Sequence, residues 1–374
     1  MTKRLLLAVL PLLVVCGLLE IVLRTTHLFG ARLAWTEPDR EIGWRFTPGR
    51  EYWFQGENDH AITGRINSAG WRDHEHAREK PPRTWRVAVL GDSFVEAFQV
   101  ELDSTFTSRL GRSLHAGAHI RGEVLNFGRS GMGPAEELIV LERDVIPRTP
   151  DVVVLVFTPH NDIADINPAT ATDAARPFFH LRGDSLLLDT SFNRGREARM
   201  REAVNSIKQH SALVSLAAKR YQEWKLARAW RHGVYGGTFS RADRMCTANP
   251  DSVDAANYAL CKRLIARMAS ECSARGIRFV LTSVPLVYAG DAIDERRRTD
   301  ATFDPGFFDR DLGVFSASEG LDFIPLTAGF EAEWARHRQP LHWQHWNYAG
   351  HRLVARLLGE ALFQVRSGGE RQRD

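Results

Sequence analysis

The feature that most constrains the fold is a short apolar run that ends in a polar turn, Val87-Ala88-Val89-Leu90 followed by Gly91-Asp92-Ser93-Phe94. An unbroken apolar run of this kind is typical of a parallel strand buried on both faces. Gly91 permits a sharp turn, and open α/β sheets bind ligands at the carboxyl ends of their strands. The pattern therefore predicts a buried strand with Ser93, a candidate nucleophile, at its carboxyl end.

Later segments repeat this arrangement. Residues 123–128 predict a strand ending in the glycine-rich turn that contains Gly131, and residues 151–157 predict one ending just before Asn161. Helical stretches at 104–116 and 134–143 separate these strands, and further strands are predicted at 277–284 and about 321–324. Strands that alternate with helices predict a doubly wound parallel sheet, so the three polar turns meet at one edge.

Acyl transfer by a serine needs a hydroxyl, a base in reach of it, and donors aimed at the developing oxyanion. Ser93 provides the hydroxyl, and His345 is the candidate base. The backbone N–H groups of Ser93 and Gly131 and the side-chain amide of Asn161 are the candidate oxyanion donors.

Four motifs, in this order, resemble the blocks of the SGNH (GDSL-like) hydrolases: Gly91-Asp92-Ser93-Phe94, Asn126-Phe127-Gly128-Arg129-Ser130-Gly131, Asn161-Asp162 and His345-Trp346-Asn347-Tyr348-Ala349-Gly350-His351. The resemblance covers residues 86–362. It implies a flavodoxin-like three-layer α/β/α fold with a central parallel sheet. It also implies esterase, lipase or acyltransferase activity without a metal or cofactor, with Ser93 as nucleophile, His345 as base, and Gly131 and Asn161 as oxyanion donors.

One position departs from the family pattern. The family usually has an aspartate three residues before the base histidine, where this chain has His342. Three explanations remain open. Another acid, such as Asp322 or Glu333, comes from elsewhere in the fold, or a Ser-His dyad suffices with a backbone carbonyl that orients His345. In the third, the protein is slow or inactive. Loss of the acid costs about 10⁴-fold when it leaves the wrong imidazole tautomer.

The N-terminal residues predict a membrane anchor. Residues 5–23 are apolar apart from Glu20, with Lys3 and Arg4 before them and Arg24 after them. A helix of roughly 20 apolar residues spans a bilayer, and the positive charges before it place the bulk of the chain outside the cytoplasm, in a bacterial periplasm or at the cell surface. A cleaved signal peptide and a secreted form are the alternative, although no small-x-small motif follows the apolar core.

The predicted organisation is an anchor over residues 1–30, a lead-in segment over 31–84, and a catalytic domain over 85–374 with a helical insertion at about 163–252. The lead-in segment contains Trp44, Trp53 and Trp71, which predict packing on the catalytic domain and no chemistry. The amphipathic residues 196–232 predict a cap on that domain, with a membrane-surface or partner role as the alternative.

Net charge, cysteine content and the spacing of metal-binding residue types limit which partners and cofactors are expected. The formal net charge is +3 over 374 residues, with scattered arginines, which argues against nucleic-acid binding. Cys246, in a loop-like stretch, pairs with Cys261 or Cys272 in a disulfide, or all three are small buried residues. Metal-ligand spacing is absent, and no cofactor is expected.

The sequence therefore predicts a serine hydrolase that cleaves O-acyl esters through an acyl-enzyme. The expected substrate is an envelope or extracellular carbohydrate, such as an acylated polysaccharide or peptidoglycan. An O-acyltransferase with the same Ser-His pair and a non-catalytic envelope protein that binds glycan or a partner are the alternatives. Trp334, Trp343 and Trp346 form either a sugar-stacking wall or part of the core.

Overall fold

The computed structural model describes residues 2–30, 32–116, 121–231, 240–285 and 290–370. The α-helices within these ranges are α1 (Thr2–Thr26), α2 (Ser93–Glu96), α3 (Phe106–Ala116), α4 (Pro134–Val140), α5 (Pro159–Asp165), α6 (Gly195–His210), α7 (Ala212–Arg231), α8 (Arg241–Met245), α9 (Ser252–Ser273), α10 (Gly290–Thr299), α11 (Phe307–Glu319), α12 (Thr327–His337) and α13 (Tyr348–Glu370). The strands are β1 (Thr36–Asp39), β2 (Gly43–Phe46), β3 (Glu51–Phe54), β4 (Ile62–Arg65), β5 (Thr84–Gly91), β6 (Arg121–Gly128), β7 (Val152–Phe157), β8 (Phe178–Arg182), β9 (Ser185–Asp189), β10 (Arg278–Ser283) and β11 (Asp322–Ile324).

A parallel sheet of five strands, in the order β6-β5-β7-β10-β11, forms the centre of the molecule. All five were predicted as strands from the sequence. Numbered along the chain, the order is 2-1-3-4-5, which is the flavodoxin-like order. The second strand, β6, lies on one side of β5, and all later strands lie on the other side. Sheets with this order form a ligand-binding crevice between the first and third strands, here β5 and β7. The predicted fold class is confirmed.

Side chains alternate between the two faces of the sheet, and each face has its own helical layer. Ala88 and Leu90 of β5 lie in one cluster with residues of α4, α9 and α11. Val87 and Val89 lie in the other, with residues of α3, α12 and α13. Both faces are covered, as a parallel sheet requires, and this explains why residues 87–90 of β5 and the whole of β7 are apolar without interruption.

The lead-in segment folds into two antiparallel hairpins, β1–β2 and β3–β4. Trp71 contacts Phe127 of β6 with ring centroids 5.2 Å apart, and Trp44 lies over the Arg129 guanidinium at 4.6 Å. The fully buried Arg72 donates to the carbonyl oxygens of Glu96, Ala97 and Val100. Through Trp44 and Trp71, this segment contacts β6 and the turn that follows it.

The insertion contains more than the predicted helical region. A hairpin, β8–β9, precedes it, and the helical region is broken at Ser211, which has φ −133° and ψ 117° between α6 and α7.

Near the N-terminus, Val9–Thr26 of α1 is long and apolar enough to cross a membrane, with a mean hydropathy of 2.0. A signal sequence passes the same test. Glu20 of this helix accepts hydrogen bonds from the backbone N–H groups of Ala212 and Leu213, so α1 meets the start of α7.

Two sequence alternatives are resolved by burial. Cys246, Cys261 and Cys272 are free, buried thiols, so no disulfide joins them. Trp346 is fully buried and packs against Phe94 and Phe106, so it belongs to the core rather than to a sugar-stacking wall.

Candidate active site

Ser93 lies where the sequence predicts, immediately beyond β5. It is the first residue of α2, and the Asp92 side chain caps this helix by accepting the Phe94 N–H at 2.9 Å. A Cβ at Gly91 would lie 2.4 Å from Cγ2 of Val95, so the strand-to-helix turn accepts only glycine. The turn leaves Ser93 8% exposed, at the edge of the sheet where ligands bind.

A continuous hydrogen-bonded chain links Ser93, His345 and Glu57. The His345 Nε2 lies 2.8 Å from the Ser93 Oγ, and its Nδ1 lies 2.5 Å from the Glu57 Oε1. The other Glu57 oxygen accepts the backbone N–H groups of Gln344 at 3.0 Å and His345 at 2.8 Å. Glu57 therefore fixes the imidazole and also the turn that carries it.

The side chains that the sequence suggested as the acid lie elsewhere. Asp322 pairs with Arg278 at 2.5 Å, and Glu333 lies 3.5 Å from Arg356. The Nδ1 of His342 lies 2.7 Å from the carbonyl oxygen of its neighbour Trp343. The carboxylate at His345 comes instead from the lead-in segment, to which the sequence assigned packing alone.

Opposing effects set the protonation of this pair. Burial alone raises the pKa of Glu57, but the hydrogen bonds and charge of His345 outweigh it and hold that pKa below its usual range. Burial lowers the pKa of His345, but the hydrogen bond and charge of Glu57 outweigh it and raise that pKa. Glu57 is therefore ionised at neutral pH and stabilises the imidazolium that forms when His345 accepts a proton.

The three candidate oxyanion donors follow three neighbouring strands. Within the part of the chain that the structure describes, no hydrogen bond occupies the backbone N–H of Ser93 or of Gly131. The Asn161 amide donates one hydrogen to the buried Asp92 carboxyl, which leaves its second hydrogen for another acceptor. Burial raises the pKa of Asp92, while hydrogen bonds from Phe94 and Asn161 and the charge of His345 oppose that rise.

The turn that carries Gly131 is held from both sides. Gly131 has φ +69°, a left-handed conformation that favours glycine. Before it, the backbone N–H and the hydroxyl of Ser130 both donate to the carboxyl of Glu96. Its own carbonyl oxygen accepts the Arg176 guanidinium at 2.7 Å.

Arg176 belongs to the insertion and is itself fixed by two carboxylates. Its guanidinium lies 2.7 Å from Glu136 and 2.7 Å from Asp165, and the residue is 5% exposed. The insertion therefore helps to set the position of the Gly131 N–H.

These groups can perform acyl transfer by a serine. The hydroxyl, the imidazole and the carboxylate are in hydrogen-bonding sequence, and backbone and amide donors lie at the same edge of the sheet. Among the described residues, no cluster of three or more His, Cys, Asp or Glu side chains could hold a metal ion.

No protein-family model matches the chain, and no curated protein matches its sequence. Solved structures do match. The acetylxylan esterase Axe2 from Geobacillus stearothermophilus is 14% identical, with 73% of this chain and 91% of that chain covered and a TM-score of 0.41. An acetyl xylan esterase, AlAXEase, is 15% identical over 74% of this chain and 98% of that chain, with a TM-score of 0.40.

A putative lipolytic protein of the G-D-S-L family from Desulfitobacterium hafniense DCB-2 is 10% identical. It covers 74% of this chain and 98% of its own, with a TM-score of 0.35.

Proposed function

We propose that this chain is a serine esterase of the SGNH type that cleaves O-acyl groups through an acyl-enzyme. The observation that carries the proposal is the hydrogen-bonded chain from Glu57 through His345 to Ser93. In a folded protein these three groups in sequence are the arrangement that activates a serine hydroxyl.

In the proposed mechanism, the Ser93 Oγ attacks the ester carbonyl while His345 accepts its proton. Glu57 holds the imidazole in the tautomer that leaves Nε2 free to act as base and stabilises the charged ring. The oxyanion accepts hydrogen bonds from Ser93 N–H, Gly131 N–H and the Asn161 amide, each typically worth roughly 3 kcal/mol of barrier. His345 then protonates the leaving alcohol, and a water molecule, deprotonated by His345, releases the acid.

Water is the proposed acceptor because the His345 side chain is 24% exposed, so solvent reaches the base from outside the cleft. In an acyltransferase, a sugar hydroxyl would take the place of this water. Comparison of free acid release with transfer to added glycan distinguishes the two reactions.

The proposed location is the outer face of a membrane, with α1 as an uncleaved anchor. Lys3 and Arg4 precede the apolar span, and this charge bias retains the first residues in the cytoplasm. The catalytic domain then faces the envelope, where O-acylated polysaccharides and peptidoglycan are the available substrates.

The test uses the full chain in detergent micelles, with a fluorophosphonate probe and a short-chain aryl ester. Wild type should be labelled and should hydrolyse the ester, whereas Ser93→Ala and His345→Ala should do neither. Ser113→Ala, at an exposed serine on α3, is the matched control and should behave as wild type. A folded wild type that neither reacts nor turns over would refute the esterase proposal and favour a binding protein.

A further inference from the structure

A groove of about 610 Å³ lies between the lead-in hairpins and the helices α6 and α7. Its lining includes the buried Glu96 and also Ser130, which directly precedes Gly131. The groove thus leads to the turn that carries a proposed oxyanion donor. It is not part of the hydrogen-bonded chain described above.

One side of the groove is an aromatic wall, defined here as Trp35, Trp44, Phe46, Phe54 and Phe98. The rings brace one another: Phe54 stacks on Phe98 with centroids 5.6 Å apart, and Trp35 meets Phe98 edge-on at 6.5 Å. Trp35, Trp44 and Phe54 are half-buried, so part of each ring remains exposed, although Arg129 covers one face of Trp44 and Phe98 one face of Phe54. Fixed, partly open aromatic faces suit the apolar faces of pyranose rings.

The opposite side carries positive charge. Arg201 and Lys208 of α6 and Lys219 of α7 line it, and Arg32 adds a fourth cation. The one carboxyl among the described lining residues is that of Glu96, whose pKa is raised by burial to about 7 and which is occupied by Ser130. The cations therefore exceed the negative charge of the groove.

Two of these cations have no carboxylate partner. Among the described residues, Lys208 donates to the Asn205 side-chain oxygen at 3.0 Å and Lys219 lies 5.4 Å from the centroid of the Trp53 ring, and neither forms an ion pair with an Asp or Glu. Lys208 is half-buried, and burial lowers its pKa, because no nearby acid compensates the loss of water. Cations without a carboxylate partner, beside an aromatic wall, give the groove a positive potential that suits a ligand with negative charge.

We propose that this groove binds an anionic oligosaccharide segment, such as a uronate-bearing chain, with sugar rings on the aromatic wall and carboxylates on Lys208 and Lys219. The side chains of Asn205 and Gln222 lie along the same groove and suit the hydroxyls. The assignment of this segment as the glycan part of the substrate rests on the proposed function, whereas the binding itself does not.

The experiment is calorimetric titration of the full-length Ser93→Ala protein in nanodiscs of neutral lipid. The ligands are oligogalacturonate and a neutral xylo-oligosaccharide of equal length. We expect binding of the anionic ligand that weakens as salt rises, and much weaker binding of the neutral one. Lys208→Gln and Lys219→Gln should each weaken anionic binding about five-fold. Trp35→Ala should weaken it as well.

Lys225→Gln is the matched control, since Lys225 is an exposed lysine of α7 outside the groove lining, and it should bind as wild type. Absence of binding, equal binding of the neutral ligand, or equal loss in Lys225→Gln would overturn the inference. So would tighter binding of short-chain phosphatidylglycerol that displaces the glycan, because the occupant would then be a lipid. Aryl-ester turnover by wild type is measured separately. Failure of glycan binding would therefore leave the esterase proposal standing, and failure of ester turnover would leave the binding proposal standing.

Discussion

Glu57 is the residue on which the proposed chemistry depends most and the one that the motifs did not reveal. Its carboxylate contacts the imidazole and two backbone N–H groups of the turn around His345. A carboxylate held by three donors keeps its charge and its position, which an exposed acid does not. His342 therefore does not have to act as an acid for His345 to be oriented.

Glu57→Gln should lower kcat for the aryl ester by roughly 10³- to 10⁴-fold, because an amide neither stabilises the imidazolium nor fixes its tautomer. Fluorophosphonate labelling should slow in parallel. Glu51→Gln is the matched control: Glu51 lies in the same segment, is exposed and pairs with Arg65 at 3.2 Å. Full activity in Glu57→Gln would show that a Ser-His dyad suffices.

The pH dependence of kcat/KM should report the His345 base. The neutral imidazole is the active form, so the rate rises as pH rises through the His345 pKa, which lies above its ordinary value of 6.5. Without the Glu57 charge, burial lowers that pKa and only the smaller effects of the Asp92 and Glu96 charges oppose it, so the acid limb of Glu57→Gln should move to lower pH. A limb that stays in place, measured over pH 5–9, would mean that Glu57 does not set the titration.

Sequence motifs pointed to Ser93, Gly131, Asn161 and His345 as candidates because each follows a strand or a turn that the local pattern defines. Glu57 has no such signal. It lies in a Trp-rich segment beside Asp59, and nothing local distinguishes the two acids. Its role depends on how two hairpins pack against the far end of the chain, which is 288 residues away.

At the scale of elements, the conformation of the turn between β6 and α4 determines where the Gly131 N–H, a proposed oxyanion donor, lies. Gly131 lies in the left-handed region, and Glu96 and Arg176 fix the residues on each side of its N–H. The central strands β5 and β7 were predictable because burial on both faces leaves an apolar run. The hairpins and the break at Ser211 were not, since their register depends on tertiary contacts.

Gly131→Ala tests this turn without creating a clash, because no atom lies within 4 Å of the added Cβ. The left-handed φ should cost about 1–2 kcal/mol of stability. Relaxation of the turn should lower kcat by roughly 10- to 100-fold with a smaller change in KM, since the donor acts on the transition state.

Gly183→Ala is the control for this turn. Gly183 has φ +59°, equally open space around its Cβ, and a place in the β8–β9 turn. It should lose similar stability and retain kcat. An equal loss of kcat in both variants would attribute the effect to stability, not to the donor.

At the scale of the whole molecule, the apolar N-terminal helix is joined to the insertion by specific contacts. Glu20 accepts the N–H groups of Ala212 and Leu213 and the hydroxyl of Ser211, which caps the first turn of α7. Leu23 is buried in a cluster with Ala212. An anchor with these contacts holds the domain in a defined orientation, whereas a cleaved form would leave the start of α7 uncapped.

Removal of residues 1–31 should therefore loosen the start of α7 and leave the catalytic groups intact. Loss of a helix cap costs about 1 kcal/mol, so amide exchange at Ala212 and Leu213 should accelerate about five-fold. Glu20→Ala in the full chain should reproduce this effect, because it removes the cap and retains the anchor. The start of α9 is the internal control, since Asp251 caps Val253 at 2.8 Å without any part of α1. Unchanged exchange at Ala212 would mean that α1 is joined to the domain by a flexible link, and the domain would then sample the membrane surface in many orientations.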